Sequence, residues 1–168
     1  LDRNLSQLWV AKRYVAPGAW FVCADADTGF PLDSGRFGAA ICADAFHYLE
    51  HKDQVMAELR RCAPDGPVVL ARVGNLLVEP NEGSELTARD YAALAGGEQV
   101  RLVDEDTLVD WYLRGAGPQL ATPSDLAELE SRKWLSVVLG PQVARDHPAH
   151  SGMLHARGDL SLNPLYRD

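Results

Sequence analysis

Residues 23–50, CADADTGFPLDSGRFGAAICADAFHYLE, decide the fold. Two short apolar runs, Trp20–Cys23 and Ala39–Cys42, are each followed within two residues by an acid, Asp25 and Asp44. Between them stands a turn-rich segment with Gly29, Pro31, Asp33, Ser34 and Gly35. Runs of this length bounded by turn signals read as buried strands. In an open parallel sheet, ligands bind beyond the C-terminal ends of the strands. Two carboxylates delivered to those ends are therefore candidate ligand contacts.

The reading extends outward on both sides. In "NLSQLWVAKRYV", residues 4–15, Leu5, Leu8, Trp9 and Lys12 fall on helical spacing behind Asp2 or Asn4 as N-cap, and Pro17-Gly18 ends the helix. "AWFVCA" and "FGAAICA" read as strands, the second small enough to let a ligand come close to the sheet. "DQVMAELRRCA", residues 53–63, is a helix with Val55, Met56, Leu59 and Cys62 inward, stopped by "PDG". "PVVLARV", residues 67–73, is apolar and β-branched, as suits a strand covered on both faces. Strand and helix alternating with short breaks is the α/β pattern. Beyond Asn75 the spacing predicts three helical segments within residues 84–132, with Thr87, Asp104 or Glu105, and Ser124 as caps. Leu108, Trp111 and Tyr112 would form the inward face of one of them, and Gly115 its C-cap. "KWLSVVLG", residues 133–140, reads as a strand, with the tail "GDLSLNPLYRD" as its hairpin partner.

Composition bounds the function. The chain has 168 residues, 46% hydrophobic and 24% charged, enough for one domain with a real core. A net charge of -8 and the absence of any long Lys/Arg cluster exclude a phosphate-backbone partner. No apolar run reaches membrane-spanning length and no signal peptide is visible, so neither nucleic acid nor membrane is an expected partner. Cys23, Cys42 and Cys62 form no C-x-x-C pair and are expected to be reduced structural thiols of a cytoplasmic protein. His147, His150 and His155 do not have metal-ligand spacing, and no metal is expected.

From Asp2 to Asn75 the chain resembles a class I S-adenosylmethionine-dependent methyltransferase of the small-molecule, type 11-like kind. "ADADTGFPLDSGRFG" is similar to the family's G-D-A-E-x-L-P-F-x-D-x-S-F-D, and "DAFHYL" at 44–49 to its D-A-L-H-Y-L. Glu58-Leu59-Arg60-Arg61 is similar to its E-L-x-R, and "APDGP" to its L-x-P-G-G turn. Asn75, Leu86-Thr87, Tyr91 and Leu94 resemble a looser segment in actinobacterial-looking members. The resemblance implies a Rossmann-like three-layer fold, incomplete at its N-terminus, with a helical insertion at 84–132 as a lid and a C-terminal strand hairpin at 133–168. It implies S-adenosylmethionine as cofactor and a small-molecule substrate. Asp2 would accept the ribose hydroxyls, Asp25 the adenine amino group, and Ala26 would offer its backbone N–H. Asp44, Ala45 and Phe46 would line the methionine end, and His47 would face the substrate as the catalytic candidate.

Each residue also has a plainer role: Asp2 as a helix N-cap, Asp25 and Asp27 in turn bonding, His47 as a pocket wall. The family's glycine-rich loop after a first strand is not found, and Gly38 stands in place of an Asp. The chain is thus expected either to self-associate as a homo-oligomer through unpaired strand edges or to lack a preceding segment. A non-catalytic methyltransferase-like binding or assembly module is the alternative function, and another Rossmann-type enzyme a third.

Overall fold

In the computed structural model, residues 1–78, 80 and 83–149 are described. One sheet organises them. Its strands are β1 (Ala40–Ala43), β2 (Val68–Gly74), β3 (Val100–Asp104) and β4 (Trp134–Leu139), in the spatial order β1-β2-β4-β3. β1 and β2 are parallel, with Ile41 opposite Val69, while β4 runs antiparallel to both β2 and β3. Three strands thus point one way and β4 is inserted against them. The helices are α1 (Leu5–Val10), α2 (Lys52–Cys62), α3 (Ala88–Ala93), α4 (Glu105–Leu113) and α5 (Leu126–Leu129). This mixed, open sheet with helices is the α/β, Rossmann-like arrangement expected.

The core lies on one face of the sheet. Val68, Leu70 and Val73 of β2 and Leu135, Val137 and Leu139 of β4 are wholly buried, against Val55, Met56 and Leu59 of α2 and Tyr91 of α3. α2 presents the inward residues that its spacing predicts. Leu108 belongs to the opposite side, where a groove of about 1340 Å³ runs along Val69, Ala71, Val103 and Val138.

Several expectations are corrected. "AWFVCA" is not a buried strand: Trp20 is 97% exposed, and only an isolated bridge joins Cys23 to Asp2. A strand needs a ladder, and here the pairing stops at two backbone bonds, Asp2 N to Val22 O and Ala24 N to Asp2 O. Leu5 and Trp9 of α1 are exposed for the same reason: only Leu8 finds a surface to bury against. Cys23 is exposed, not buried. β1 forms as expected but stands at the sheet's edge, leaving Ile41 68% exposed.

Residues 84–132 are not a purely helical lid. They contain β3, and α3 packs its buried Ala88 and Tyr91 into the core. The five-residue strand lies between the Gly96-Gly97 turn and the Asp104 cap, too short for its alternation to stand out. Nor does α4 have the expected inward aromatic face, for none of its residues is buried and Tyr112 is exposed. β4 is paired along both edges, which leaves no edge for a hairpin partner, and residues 158–168 lie outside the described ones.

Caps explain the local boundaries. Thr87 and Asp90 form a reciprocal capping box on α3, Asp104 caps α4, and Asn4, not Asp2, caps α1. Asp125, not Ser124, caps α5, and Gly115, at φ 68°, ends α4. Gly66 keeps the α2–β2 turn tight, since a Cβ there would fall 1.9 Å from Gly38 O.

The loop at 30–34 is clamped by one ion pair. Glu58 receives Arg61 Nε and Nη2, each at 2.8 Å, and the Phe30 N–H at 2.8 Å. Arg61 also donates to the carbonyls of Leu32 and Phe30. The Arg61 hydrogen bonds, then the Phe30 amide, pull the Glu58 carboxyl down to about 2. Because that value lies below the unfolded one, about 4.3, the clamp contributes fully above pH 4.3 and is lost as pH falls through 2. Acid unfolding of the Glu58→Gln variant should show a flatter pH dependence in that window than the parent, read by circular dichroism.

Candidate functional site

Two regions adjoin the parallel pair, one along β1 and one beyond the strand ends. The first is a cavity of about 480 Å³ whose wall includes Asp2, Asp25, Ala26 and Ala45 together with Ala40 and Ala43 of β1. The bridge between Asp2 and Cys23 places the first two acids on one side. Asp25 precedes a short 3-10 turn, Ala26–Thr28, and caps it by accepting the Asp27 N–H at 3.0 Å on Oδ1. Asp2 accepts the Asn4 N–H at 2.7 Å, also on Oδ1. Each carboxylate keeps its second oxygen for another donor, so the capping role and a ligand role are compatible. Asp27 does more than close its own turn. Its carboxylate receives the backbone N–H groups of Glu50 and His51 at 3.0 and 2.9 Å, tying the turn to the start of α2. Those bonds hold its carboxyl below the usual carboxylate range.

The second region lies beyond the strand ends, around the short 3-10 turn Phe46–Tyr48. Asp44 is outside the 480 Å³ cavity; its carboxylate meets Arg72 at 3.3 Å, with both side chains about half exposed. Both residues take left-handed backbone angles, φ 51° and 54°, Arg72 within the irregular stretch of β2 between Leu70 and Val73. A pair this exposed contributes at most about 1 kcal/mol, so it does not by itself account for two strained residues. Arg72 also lies over the Trp134 ring, 4.7 Å from its centroid.

Phe46 differs from expectation. It is wholly buried in the core against Tyr91, 6.4 Å between ring centroids, and lines no part of the cavity. As the apolar residue of the turn, it is drawn inward while its neighbour Tyr48 turns out to the cavity wall. His47 is also buried, at 1% exposure, with its ring 4.0 Å from Tyr48 and 5.8 Å from Trp134 by centroid. Burial pushes its pKa down, against the pull of the Asp44 and Glu85 charges. Lys52 packs its stem inward, donates to Leu49 O at 2.6 Å and has its pKa lowered mainly by burial. Burial raises the Cys42 thiol to about 11, so it is no nucleophile at neutral pH.

Glu85, Arg72 and Trp134 were not foreseen from sequence as site residues. They sit on three separate segments, and no spacing links them. The one available signal is the pair of glycines, Gly74 and Gly83, that make room for Glu85. His147 lies elsewhere, its backbone N–H bonded to Pro118 O; His150 and His155 are outside the described residues. Among the described residues no acid, His or Cys cluster could hold a metal ion, and no helix is long and apolar enough to cross a membrane.

The family described as "Methyltransferase domain" matches residues 1–70. A comparison with curated proteins gives no match. Among solved structures, the chain is similar to a protein of Bacillus halodurans C-125 assigned as a methyltransferase, with 13% identity and a TM-score of 0.51. That match covers 82% of this chain and 79% of the other. It is also similar to the methyltransferase found in complex with the Trm112 methyltransferase activator of Haloferax volcanii, with 18% identity and a TM-score of 0.58. Here 89% of this chain and 72% of the other are covered. The YcgJ protein of Bacillus subtilis is similar at 14% identity and a TM-score of 0.50, over 84% of this chain and 81% of the other. Residues 1–70 thus resemble a methyltransferase domain in sequence, and the chain shares its fold with these structures.

Asn75 anchors the segment that leaves the site. It is buried, its Nδ2 within 3.1 Å of the carbonyls of Leu129, Glu130 and Arg132, and its Oδ1 accepting the Leu77 N–H. Asn75→Ala should cost about 2–3 kcal/mol in chemical denaturation, because several buried carbonyls lose their donor at once. The His47 shift gives a second expectation. With its folded value below the unfolded one, about 6.5, stability is complete above pH 6.5 and falls as pH drops beneath it. His47→Gln should remove that part of the slope in urea titrations between pH 7 and 5.

Proposed function

We propose that this chain, class I methyltransferase-like in fold and in the sequence of its first 70 residues, serves methyl transfer from S-adenosylmethionine to a small-molecule acceptor. One observation carries the reading. Asp2 and the Asp25-Ala26 pair, which the resemblance assigns to the cofactor, come from two stretches of chain yet line one cavity along β1. A volume of about 480 Å³ suits a ligand of that size. The residues fit the group: two carboxylates with a free oxygen each for hydroxyl and amino hydrogens, and an alanine-rich wall on which a flat base can lie.

The cofactor, when bound, supplies a methyl group activated by a sulfonium charge. The chain's own residues then have the tasks of binding, alignment and exclusion of water. Asp2 holds one end and Asp25 the other end of the nucleoside part. The strand tip at Ala43, followed by Ala45 and Tyr48, forms the wall that leads from this cavity toward His47. The acceptor would meet the methyl group at that end, beside the Asp44–Arg72 pair.

Calorimetric titration of S-adenosylhomocysteine into the chain tests the reading. Saturable binding is expected, weakened about 10- to 100-fold in Asp25→Ala, as for the loss of one charge-assisted hydrogen bond. Absence of binding would overturn the enzymatic reading in favour of a binding module.

A further inference from the structure

The irregular stretch of β2 is a bulge held from its flank. Opposite Ser136 of β4, which stands between the paired Val137 and Leu135, β2 places two residues, Ala71 and Arg72. Leu70 and Val73 are both wholly buried, although an unbroken strand would turn residues three apart to opposite faces. The extra residue keeps the core intact and leaves the Arg72 side chain outside it. The Arg72 backbone N–H donates to Glu105 Oε1 at 3.3 Å, and the same oxygen receives the Ser136 hydroxyl. Side chains from α4 and β4 thus support the bulge where the ladder is interrupted.

The bulge presents a guanidinium whose donors are unspent. Arg72 lies over the Trp134 ring, 4.7 Å from its centroid, and Lys133 Nζ is 5.4 Å from the same centroid. The contact with Asp44, 3.3 Å from Nε to Oδ1, is an ion pair only, and the one Arg72 hydrogen bond among the described residues is that of its backbone. Arg61, by contrast, gives its donors to Glu58, Leu32, Ser34 and Phe30. Asp44 and Arg72 are also two of the three non-glycine residues with left-handed backbone among those described. Strain at both ends of one half-exposed pair, too weak to account for it, points to a ligand that uses the pair. The place fits the proposed acceptor end, because Asp44 stands between Ala43 and Ala45, both in the cavity wall.

We infer that the methyl acceptor carries a carboxylate, that Arg72 binds it through its fork of N–H donors, and that Glu105 and Ser136 position Arg72. This rests on the methyltransferase reading above and names its substrate class. A planar guanidinium fixed over an indole matches the two oxygens of a carboxylate in one plane. In a chain of net charge -8 the overall field repels an anion, so recognition has to be local. With Asp44 and Glu105 already beside Arg72, one added negative charge is accommodated and the second charge of a phosphate is not.

Nitrogen-15 NMR of the Arg72 Nε–H, identified by its loss in Arg72→Gln, tests the site without turnover. The titrants are hydroxy- and amino-substituted benzoates, each beside its neutral amide, and inorganic phosphate. A saturable shift is expected with the acids, and the amides and phosphate should bind at least about tenfold more weakly. Acids and amides that titrate alike overturn the recognition, and phosphate that binds as well as the acids overturns the choice of carboxylate. Glu105→Ala should weaken the acids about tenfold. Glu105→Gln, whose amide oxygen still accepts from Arg72 and Ser136, should restore them; equal affinity in the parent and both variants overturns the positioning role. Methyl transfer from labelled S-adenosylmethionine to the same pairs is the second readout. The parent should prefer each acid, and Arg72→Gln should raise KM for the acids about 10- to 100-fold with kcat within about threefold. No preference for acid over amide in the parent overturns the acceptor class, whether or not a variant folds. Binding of S-adenosylhomocysteine separates the failures. Acids bound at Arg72 without it sink the methyltransferase reading and leave the anion site standing. S-adenosylhomocysteine bound with a silent Arg72 signal sinks only the anion site.

Discussion

β4 is the element on which the rest depends. It enters the sheet against the direction of its neighbours and pairs with β2 along one edge and β3 along the other. Leu135, Val137 and Leu139 are thereby wholly buried beneath α2 and α3. Without β4, the β1–β2 pair and β3 would be separate short ribbons, each marginal in water. Its presence also sets where the tip of β2 ends, because Gly74 lies opposite Trp134. From that register come the aromatic wall over Arg72, the space for Glu85 and the exit of the chain at Asn75.

The site is assembled by the same constraint that makes it costly. Parallel β1 and β2 lie side by side; the chain leaves β1 through left-handed Asp44, and left-handed Arg72 interrupts the β2 ladder before its end at Gly74. Immediately after Asp44 the chain divides its residues by burial: Phe46 goes to the core, His47 to a dry polar cluster, Tyr48 to the cavity wall. An exposed ion pair contributes little to stability, whereas an orphaned buried His and Glu cost several times more. Strain at Asp44 and Arg72 and unsatisfied polarity at His47 and Glu85 thus lie close together in the fold.

The opposite pole of the chain is different in kind. Residues 1–25 hold together by the helical run 5–15, one isolated bridge and a few local bonds such as those from Lys12 to Pro17 O and Ala19 O, and they leave Leu5, Trp9 and Trp20 in solvent. The edge of β1 is open in the same direction. Yet Asp2 and Asp25 reach the cavity wall from this loosely packed part, because the Asp2–Cys23 bridge fixes them to one another. The proposed cofactor end of the site therefore depends on few contacts, whereas the proposed acceptor end adjoins the buried core around Phe46 and Tyr91.

Much of this was legible in the residues themselves. The inward face of α2, the strands around Ala40–Ala43, Val68–Gly74 and Trp134–Leu139, and the caps at Thr87 and Asp104 follow from local spacing, and local spacing is what a sequence records directly. Asp44, the carboxylate at the end of β1, was visible for the same reason. Burial of Trp20–Cys23 was not decidable, since apolar runs look alike whether or not a partner strand covers them. β3 hid inside a helical stretch because five residues do not establish a period. Phe46 and His47 are adjacent in a motif, but that both are buried, and neither lines the cavity, depends on Tyr91 and Trp134, far along the chain. Glu85 could not be singled out at all, for its burial arises only where Gly74 and Gly83 leave room for it. The sequence by itself determined α2, the strands β1, β2 and β4, and the caps of α3 and α4; the tertiary structure alone decided which apolar runs are covered and which polar groups lose their water together.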